Sequence, residues 1–393
     1  MTATERRAAV GLAAIMAARM LGLFLILPIF TLYAPELQGS TPALIGVAIG
    51  AYGLSQAFLQ IPMGVASDRW GRQPVIIFGL LLFVLGSAVA ALSDHIYGVI
   101  LGRLLQGAGA ISAAVMALAA DLTRESQRTK IMASLGISIG GSFMLAMVLG
   151  PLLAGWVGLG GVFWSMAALA LTSIALLLLL VPKPERSFEP APVGKLPSQI
   201  GRVLRDPGML RLNFGIFALH AILTAGFVVL PVVLQETLGL ERDRHWQFYV
   251  PILLLSVLGM VPVIMIGERR RQMPKVLALT VLVLALVELA LAASLSRPLP
   301  LPLLVALWLY FTAFNVLEAS LPSLVSKVAP PQVKGAALGV YSTTQFLGAF
   351  LGGAIGGTLF GRVGIEGVFV FCALLAALWF LAALGLKAPQ PAK

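Results

Sequence analysis

Stretches of apolar residues long enough to cross a bilayer recur about a dozen times along this chain, at 8–33, 42–66, 74–93, 96–120, 131–157, 161–181, 209–235, 246–267, 274–294, 301–326, 336–361 and 367–386. A spanning helix needs roughly 20 mostly apolar residues, so each run suffices for one crossing. Of the 393 residues, 59% are hydrophobic and 11% charged, whereas about a quarter of an ordinary soluble domain is charged. A soluble core could not hide so much apolar surface; lipid removes the difficulty, being an apolar solvent itself. The expected fold is an all-α membrane protein of twelve transmembrane helices in two pseudo-symmetric six-helix bundles.

The longest polar stretch, opening PKPERSFEPAPVGKLPSQ, separates six runs from six. It sets the expected organisation: an N-terminal bundle over 1–181, a cytoplasmic linker over 182–208 and a C-terminal bundle over 209–393. The net charge of +11 sits in short clusters between apolar runs, which argues against nucleic acid and for cytoplasmic loops. With both termini placed in the cytoplasm, 21 of the 27 Lys and Arg fall on that side, and only Arg242, Arg244, Arg297 and Arg362 on the other. Such an excess specifies orientation. The expected location is a bacterial inner membrane, crossed many times. The start, MTATERR before an apolar run, lacks a cleavage pattern and reads as a retained first helix. Cys372 is the lone cysteine, so no internal disulfide can form.

The halves resemble each other weakly. GPLLAGWVGLGGVF at 150–163 matches GGAIGGTLFGRVGIEGVF at 352–369, and TKIMASLG at 129–136 matches VKGAALG at 333–339. Parallel repeats of six spans are the plan of one large transporter class, with substrate held between the halves.

The most specific motif follows run two: Gly64, Asp68, Arg69, Gly71 and Arg72, in the order G-x-x-x-D-R-x-G-R. It resembles the loop signature of the major facilitator superfamily. Gly71 permits a tight turn. Asp68 can meet the positive end of a neighbouring helix, and Arg72 can pair with Asp121 at the end of run four. The group reads as a conformational latch, or more plainly as a charged loop that enforces topology. The second half carries a degenerate version at Gly267-Glu268-Arg269-Arg270-Arg271. In run four, Arg103-Leu-Leu-Gln106-Gly107-Ala-Gly109 resembles the superfamily's arginine motif. An Arg in hydrocarbon is costly unless paired or hydrated, so Arg103 should face a cavity or a polar neighbour; the resemblance implies proton transfer, the plainer alternative a hydrogen-bond hub. Run five, with Gly150, Pro151 and Gly155, resembles the antiporter motif G-x-x-x-G-P-x-x-G-G with two glycines replaced by alanine. Small residues let helices approach closely and Pro151 permits a bend. Run eleven is likewise glycine-dense, at Gly348, Gly352, Gly353, Gly356 and Gly357; both runs are expected to line the contact between halves.

Ionisable residues inside a membrane mark functional paths by default. Here they are Arg19, Arg103, His220, Glu288 and Glu318. The charged form of a carboxyl is poorly solvated in hydrocarbon, which suits Glu318 to taking up and releasing a proton; the alternative is a neutral carboxyl tying two helices. Asn315, three residues earlier, shares its helix face. His220 is the other titrating candidate, and Glu288, in run nine, is expected to be structural or at the lipid edge. Arg19, in a run without an acid, favours an anionic or neutral ligand, or is paired within the bundle. Tyr310, Phe311 and Phe314 are candidate substrate contacts beside Asn315.

No phosphate-binding loop or H-E-x-x-H motif occurs, and one Cys with three His makes no metal cluster. No catalytic constellation, cofactor or metal is expected, and energy should come from an ion gradient. The segments RMLGLFLILPIFTLYAPELQG, GVASDRWGRQP, RLLQGAGA, AMVLGP and FNVLEASLPSLVSKVAP together resemble the YajR-like branch of the major facilitator drug/proton antiporters. That resemblance implies a cavity between halves and proton-driven export of small lipophilic compounds. The best-known member carries a further small soluble domain after helix twelve; this chain ends soon after run twelve, so that domain is expected to be missing. The expected partners are a small-molecule substrate, protons and the lipid bilayer, and the expected state is a monomer. Two alternatives stay open: a symporter or facilitator for a small metabolite, and a non-transporting membrane sensor or scaffold.

Overall fold

The computed structural model describes residues 1–182, 196–295, 300–330 and 333–386. Of the linker expected over 182–208, residues 183–195 lie outside the described residues, as does Arg297. The described chain is helical nearly throughout: α1 (Ala3–Phe24), α2 (Phe30–Tyr33), α3 (Pro42–Trp70), α4 (Arg72–Ala91), α5 (Ile96–Ala108), α6 (Ser112–Asp121), α7 (Glu125–Leu180), α8 (Leu196–Val203), α9 (Pro207–Leu238), α10 (His245–Arg269), α11 (Met273–Ser294), α12 (Pro300–Val328) and α13 (Lys334–Ala383). Among the described residues, ten helices are long and apolar enough to cross a membrane.

Two of the ten each account for two spans. The 56 residues of α7 would extend about 84 Å as one straight helix at 1.5 Å per residue, against a hydrocarbon core of about 30 Å. The helix breaks at Gly158 (φ 66°, ψ −178°). The 50-residue α13 breaks in the same way at Gly364 (φ 77°, ψ −170°). This backbone region is open essentially to glycine alone, so the sequence itself fixes where each helix reverses. The two glycines occupy matching places in the internal repeat. Counting both breaks restores the twelve expected spans.

The chain forms two compact units. One comprises Met1–Ser40 and Ala51–Val193, the other Thr41–Gly50 and Gly194–Lys393. In the first, α1 packs on α7, and α4 on α5 and α7. In the second, α9 packs on α13, and α11 on α12 and α13. These are the same pairings one repeat later, so the parallel repeat extends from sequence to packing. The first turns of α3 group with the C-terminal unit, where a Cβ on Gly50 would lie 2.7 Å from the Phe350 carbonyl oxygen. Only glycine allows so close an approach.

The glycine-dense helices serve packing inside each unit. A Cβ on Gly150 would meet the Leu25 carbonyl oxygen at 2.8 Å, and one on Gly356 would meet the Ala225 Cα at 2.8 Å. Gly348 and Gly352 press against the Phe217 and Ala221 backbone of α9. Pro151 is buried within α7, and Gly155 is exposed one turn on.

Candidate functional site

Run four is expected as one helix but is interrupted after Ala108, and residues 109–111 are unwound before α6 begins. A helix end leaves its last carbonyls without intrahelical partners. Arg19 of α1 supplies them: its Nη2 donates to the carbonyl oxygens of Gly109 at 2.8 Å and Gln106 at 3.3 Å, and to Gln56 Oε1 at 3.4 Å. Nη1 donates to the Tyr52 hydroxyl. The guanidinium lies 4.5 Å from the Phe83 ring centroid and 5.1 Å from that of Tyr52. Arg103 approaches the same Tyr52 ring at 5.2 Å and donates to Gln106 Oε1 at 2.8 Å. Gln106 in turn donates to Ser87 Oγ at 2.8 Å.

Arg19 is 2% exposed and Arg103 0%, and among the described residues no carboxylate bonds to either. Backbone carbonyls at the negative end of α5 and ring faces take the place of a counter-ion. The structure thus brings together two arginines that the sequence assigns to different tasks. Tyr52, Gln56 and Gln60 complete the cluster and were not anticipated. Their signal was the pair Gln56 and Gln60, four apart in an apolar run and joined by a 2.8 Å hydrogen bond.

The loop signature forms a compact ionic knot in the N-terminal unit. Gly71, at φ 95° and ψ 151°, turns the chain between α3 and α4, and Arg72 opens α4. Its Nη1 pairs with Asp68 and donates to Ser67 Oγ at 2.8 Å, while Nε pairs with Asp121 Oδ2 at 3.1 Å. The Arg72, Asp68 and Asp121 side chains are 17%, 30% and 14% exposed. Three span ends are thereby tied by one cation. Arg69 points outward, exposed, and Gly64 faces Ala113 of α6. A second tie was not anticipated: Arg124 grips Glu5 through two nitrogens, at 2.8 and 3.0 Å, and anchors the start of α1 to the loop before α7.

In the C-terminal unit, α9, α12 and α13 converge on His220, Glu318 and Gln345. The Gln345 amide donates to His220 Nε2 at 2.8 Å and to Glu318 Oε1 at 3.4 Å. His220 Nε2 lies 3.9 Å from Glu318 Oε2. In this pairing the ring accepts at Nε2, which places a neutral imidazole's proton on Nδ1. The Glu318 side chain is 38% exposed and that of His220 14%, while Glu318 Oε2 is itself buried. Phe314 flanks the imidazole, with ring centroids 6.1 Å apart. Tyr310 and Phe311 are buried in the unit's interior, edge to face at 5.1 Å. Asn315 reaches away from the cluster and donates to Ser256 Oγ of α10 at 2.9 Å. Gln345, the joint of the cluster, was missed by sequence reasoning; the polar string Tyr341-Ser-Thr-Thr-Gln345 in an otherwise small and apolar run was its signal.

Glu288 lies elsewhere than at the lipid edge. It is 0% exposed, turned into the C-terminal unit beside Tyr310, Phe227 and Phe369. Among the described residues, no group of His, Cys, Asp and Glu is placed to hold a metal ion.

Twelve spans from two parallel six-span repeats, with buried charges and an ionic knot at the span ends, define a polytopic membrane transporter. The chain belongs to the Major Facilitator Superfamily, whose sequence model matches residues 12–352 and again 274–393. It is 46% identical to the inner membrane transport protein YajR of Escherichia coli K12 over 99% of this chain and 85% of that one. It is 24% identical to the multidrug resistance protein MdtH of Aeromonas salmonicida, over 88% of this chain and 86% of that one. Its fold matches the crystal structure of a D-xylose–proton symporter with a TM-score of 0.77, at 18% identity and 98% coverage of both chains. It is a multi-pass transporter of the bacterial inner membrane that carries a small-molecule substrate.

Proposed function

We propose that this transporter is a proton-coupled antiporter that exports small lipophilic compounds by alternating access. The observation that carries the reading is the His220–Gln345–Glu318 cluster: a carboxyl on a partly exposed side chain, an imidazole 3.9 Å away, and one amide bonded to both. Such a group can take a proton at one atom and redistribute its hydrogen bonds, because a protonated carboxyl gains an O–H that needs an acceptor, which the Gln345 amide offers only by turning its carbonyl oxygen toward Glu318. In this reading Glu318 carries the proton, and His220 and Gln345 set its hydrogen bonding. Arg103 supports the N-terminal unit through Gln106. The Asp68–Arg72–Asp121 knot acts as a latch that opens once per cycle. The multidrug name of the Aeromonas relative supports a drug-like cargo, and an α1 without any acid beyond Glu5 disfavours cationic compounds. The protein acts as a monomer with both termini in the cytoplasm.

The test is transport by the full chain in liposomes under an imposed pH gradient, wild type against Glu318→Gln. Wild type should move a lipophilic dye up its gradient against the proton flow, while the variant only equilibrates it. Equal behaviour of the two would make Glu318 structural. Accumulation of a metabolite along the proton flow would replace export with uptake on the same fold.

A further inference from the structure

Glu288 has no part in the mechanism above, yet it is a fully buried acid of the C-terminal unit. It is 0% exposed, and neither carboxyl oxygen has a hydrogen-bond partner among the described residues. The groups around it come from four helices. α9 contributes Gly226, Phe227 and Leu230, and α11 itself Leu291. α12 contributes Leu307 and the Tyr310 hydroxyl, and α13 contributes Phe369 and the Cys372 thiol. No cation is among them. An ionised carboxylate would stand there uncompensated, whereas a carboxylic acid brings its own donor. Glu288 also holds nothing together, since a tie between helices needs a bond and it makes none.

Beside it is a cavity of about 10 Å³, the lower limit for one water molecule, in which Glu288 and Tyr310 are the polar members of an otherwise apolar lining. Gly226 keeps that space: a Cβ there would lie 3.7 Å from the Tyr310 hydroxyl. Tyr310, Phe314 and Glu318 follow one another at intervals of four on α12 and so share a helix face. Tyr310 and Glu318 are therefore separated by about 12 Å along the axis.

We infer that Glu288 is a second proton-binding carboxyl, sharing a one-water cavity with Tyr310 and set about two helical turns along α12 from the His220–Gln345–Glu318 cluster. It exchanges its proton with bulk water by way of that cavity. The inference deepens the proton-coupled reading and rests on it for a place in a transport cycle, but not for the proton itself.

The experiment is infrared spectroscopy of the full chain in liposomes, in H₂O and in D₂O. Wild type should show a carbonyl stretch of a protonated carboxyl that moves to lower frequency in D₂O, is lost in Glu288→Gln and survives in Glu318→Gln. No component lost in Glu288→Gln would mean an ionised Glu288, and a component that never moves in D₂O would mean a sealed structural acid; either overturns the inference. Should Glu288→Gln not fold, Tyr310→Phe keeps the carboxyl and removes its neighbour. It should shift the band and slow its exchange several-fold, and an unchanged band with unchanged exchange would reject the shared cavity. Dye transport in the same liposomes separates the two claims. A proton-independent wild type with the expected Glu288 band ends the antiport reading alone; coupled transport without that band ends the Glu288 inference alone.

Discussion

Gln345 is a neutral side chain that bonds to two titratable ones. Its amide donates to His220 at 2.8 Å and to Glu318 at 3.4 Å, while the imidazole and carboxyl are 3.9 Å apart, too far for a direct hydrogen bond. The hydrogen-bonded link between the two groups therefore runs through the amide, while their charges act on each other directly. Replacing Gln345 by Leu keeps approximate size and removes the donor. Proton-driven transport is expected to fall roughly tenfold, the scale of one net hydrogen bond of about 1.4 kcal/mol, with little change in the temperature at which the protein melts in detergent. Unchanged transport would show that the histidine and the carboxyl act without the bridge. His220 and Glu318 were legible in the sequence because a charge inside an apolar run stands out. Gln345 was not, because an uncharged amide carries no such contrast. Arg19 was legible as a buried cation, but not as the cap of α5, because the interruption at Gly109 lies inside a run whose composition is continuous.

At the level of the helix, the hairpins of α7 and α13 depend on single glycines in a conformation other residues rarely adopt. A Cβ on Gly158 would meet nothing within 4 Å, so only the backbone objects to substitution. Gly158→Ala is expected to cost about 1–3 kcal/mol, read as a lower melting temperature. Gly158→Asn should do no better, because ψ −178° lies far from the left-handed helical region that Asn tolerates. Gly239, at φ 65° and ψ 21° in the cap of α9, does lie in that region, and there Asn should be nearly as good as glycine. Equal tolerance of Asn at the two positions would refute this assignment of strain. The apolar runs made the spans readable, and the repeat of 150–163 in 352–369 made the two halves readable, while the glycine breaks inside it were seen only in the structure. The faces of the helices were less readable. A helix apolar all round has no amphipathic stripe, so the sequence could not tell that Glu288 turns inward, nor that Gly46 and Gly50 of α3 pack with α13.

Across the whole chain, both repeats tie the end of their second span to the end of their fourth by an ion pair, with different chemistry. In the N-terminal unit Arg72 is shared between Asp68 on α3 and Asp121 on α6. In the C-terminal unit, Glu268 on α10 meets Lys327 on α12 at 3.0 Å, within the degenerate copy of the loop signature. The N-terminal pair is sheltered, with Arg72 and Asp121 17% and 14% exposed, whereas Lys327 and Glu268 are 46% and 51% exposed. An exposed pair contributes about 0–1 kcal/mol and is screened by salt; a sheltered cation shared by two carboxylates loses more when one is removed, because the remaining charges stay in place with fewer partners. The repeat is therefore symmetric in position and asymmetric in strength. Asp121→Asn is expected to change the transport rate by an order of magnitude or more if the knot is the proposed latch, since it removes one of the two carboxylates that share Arg72. Glu268→Gln should stay within about twofold of wild type, as expected for a surface pair. Raising the salt concentration should reproduce the small effect of Glu268→Gln and leave that of Asp121→Asn intact. If the two substitutions act alike, burial does not set the strength of the latch, and the degenerate C-terminal copy is as much a gate as the complete N-terminal one.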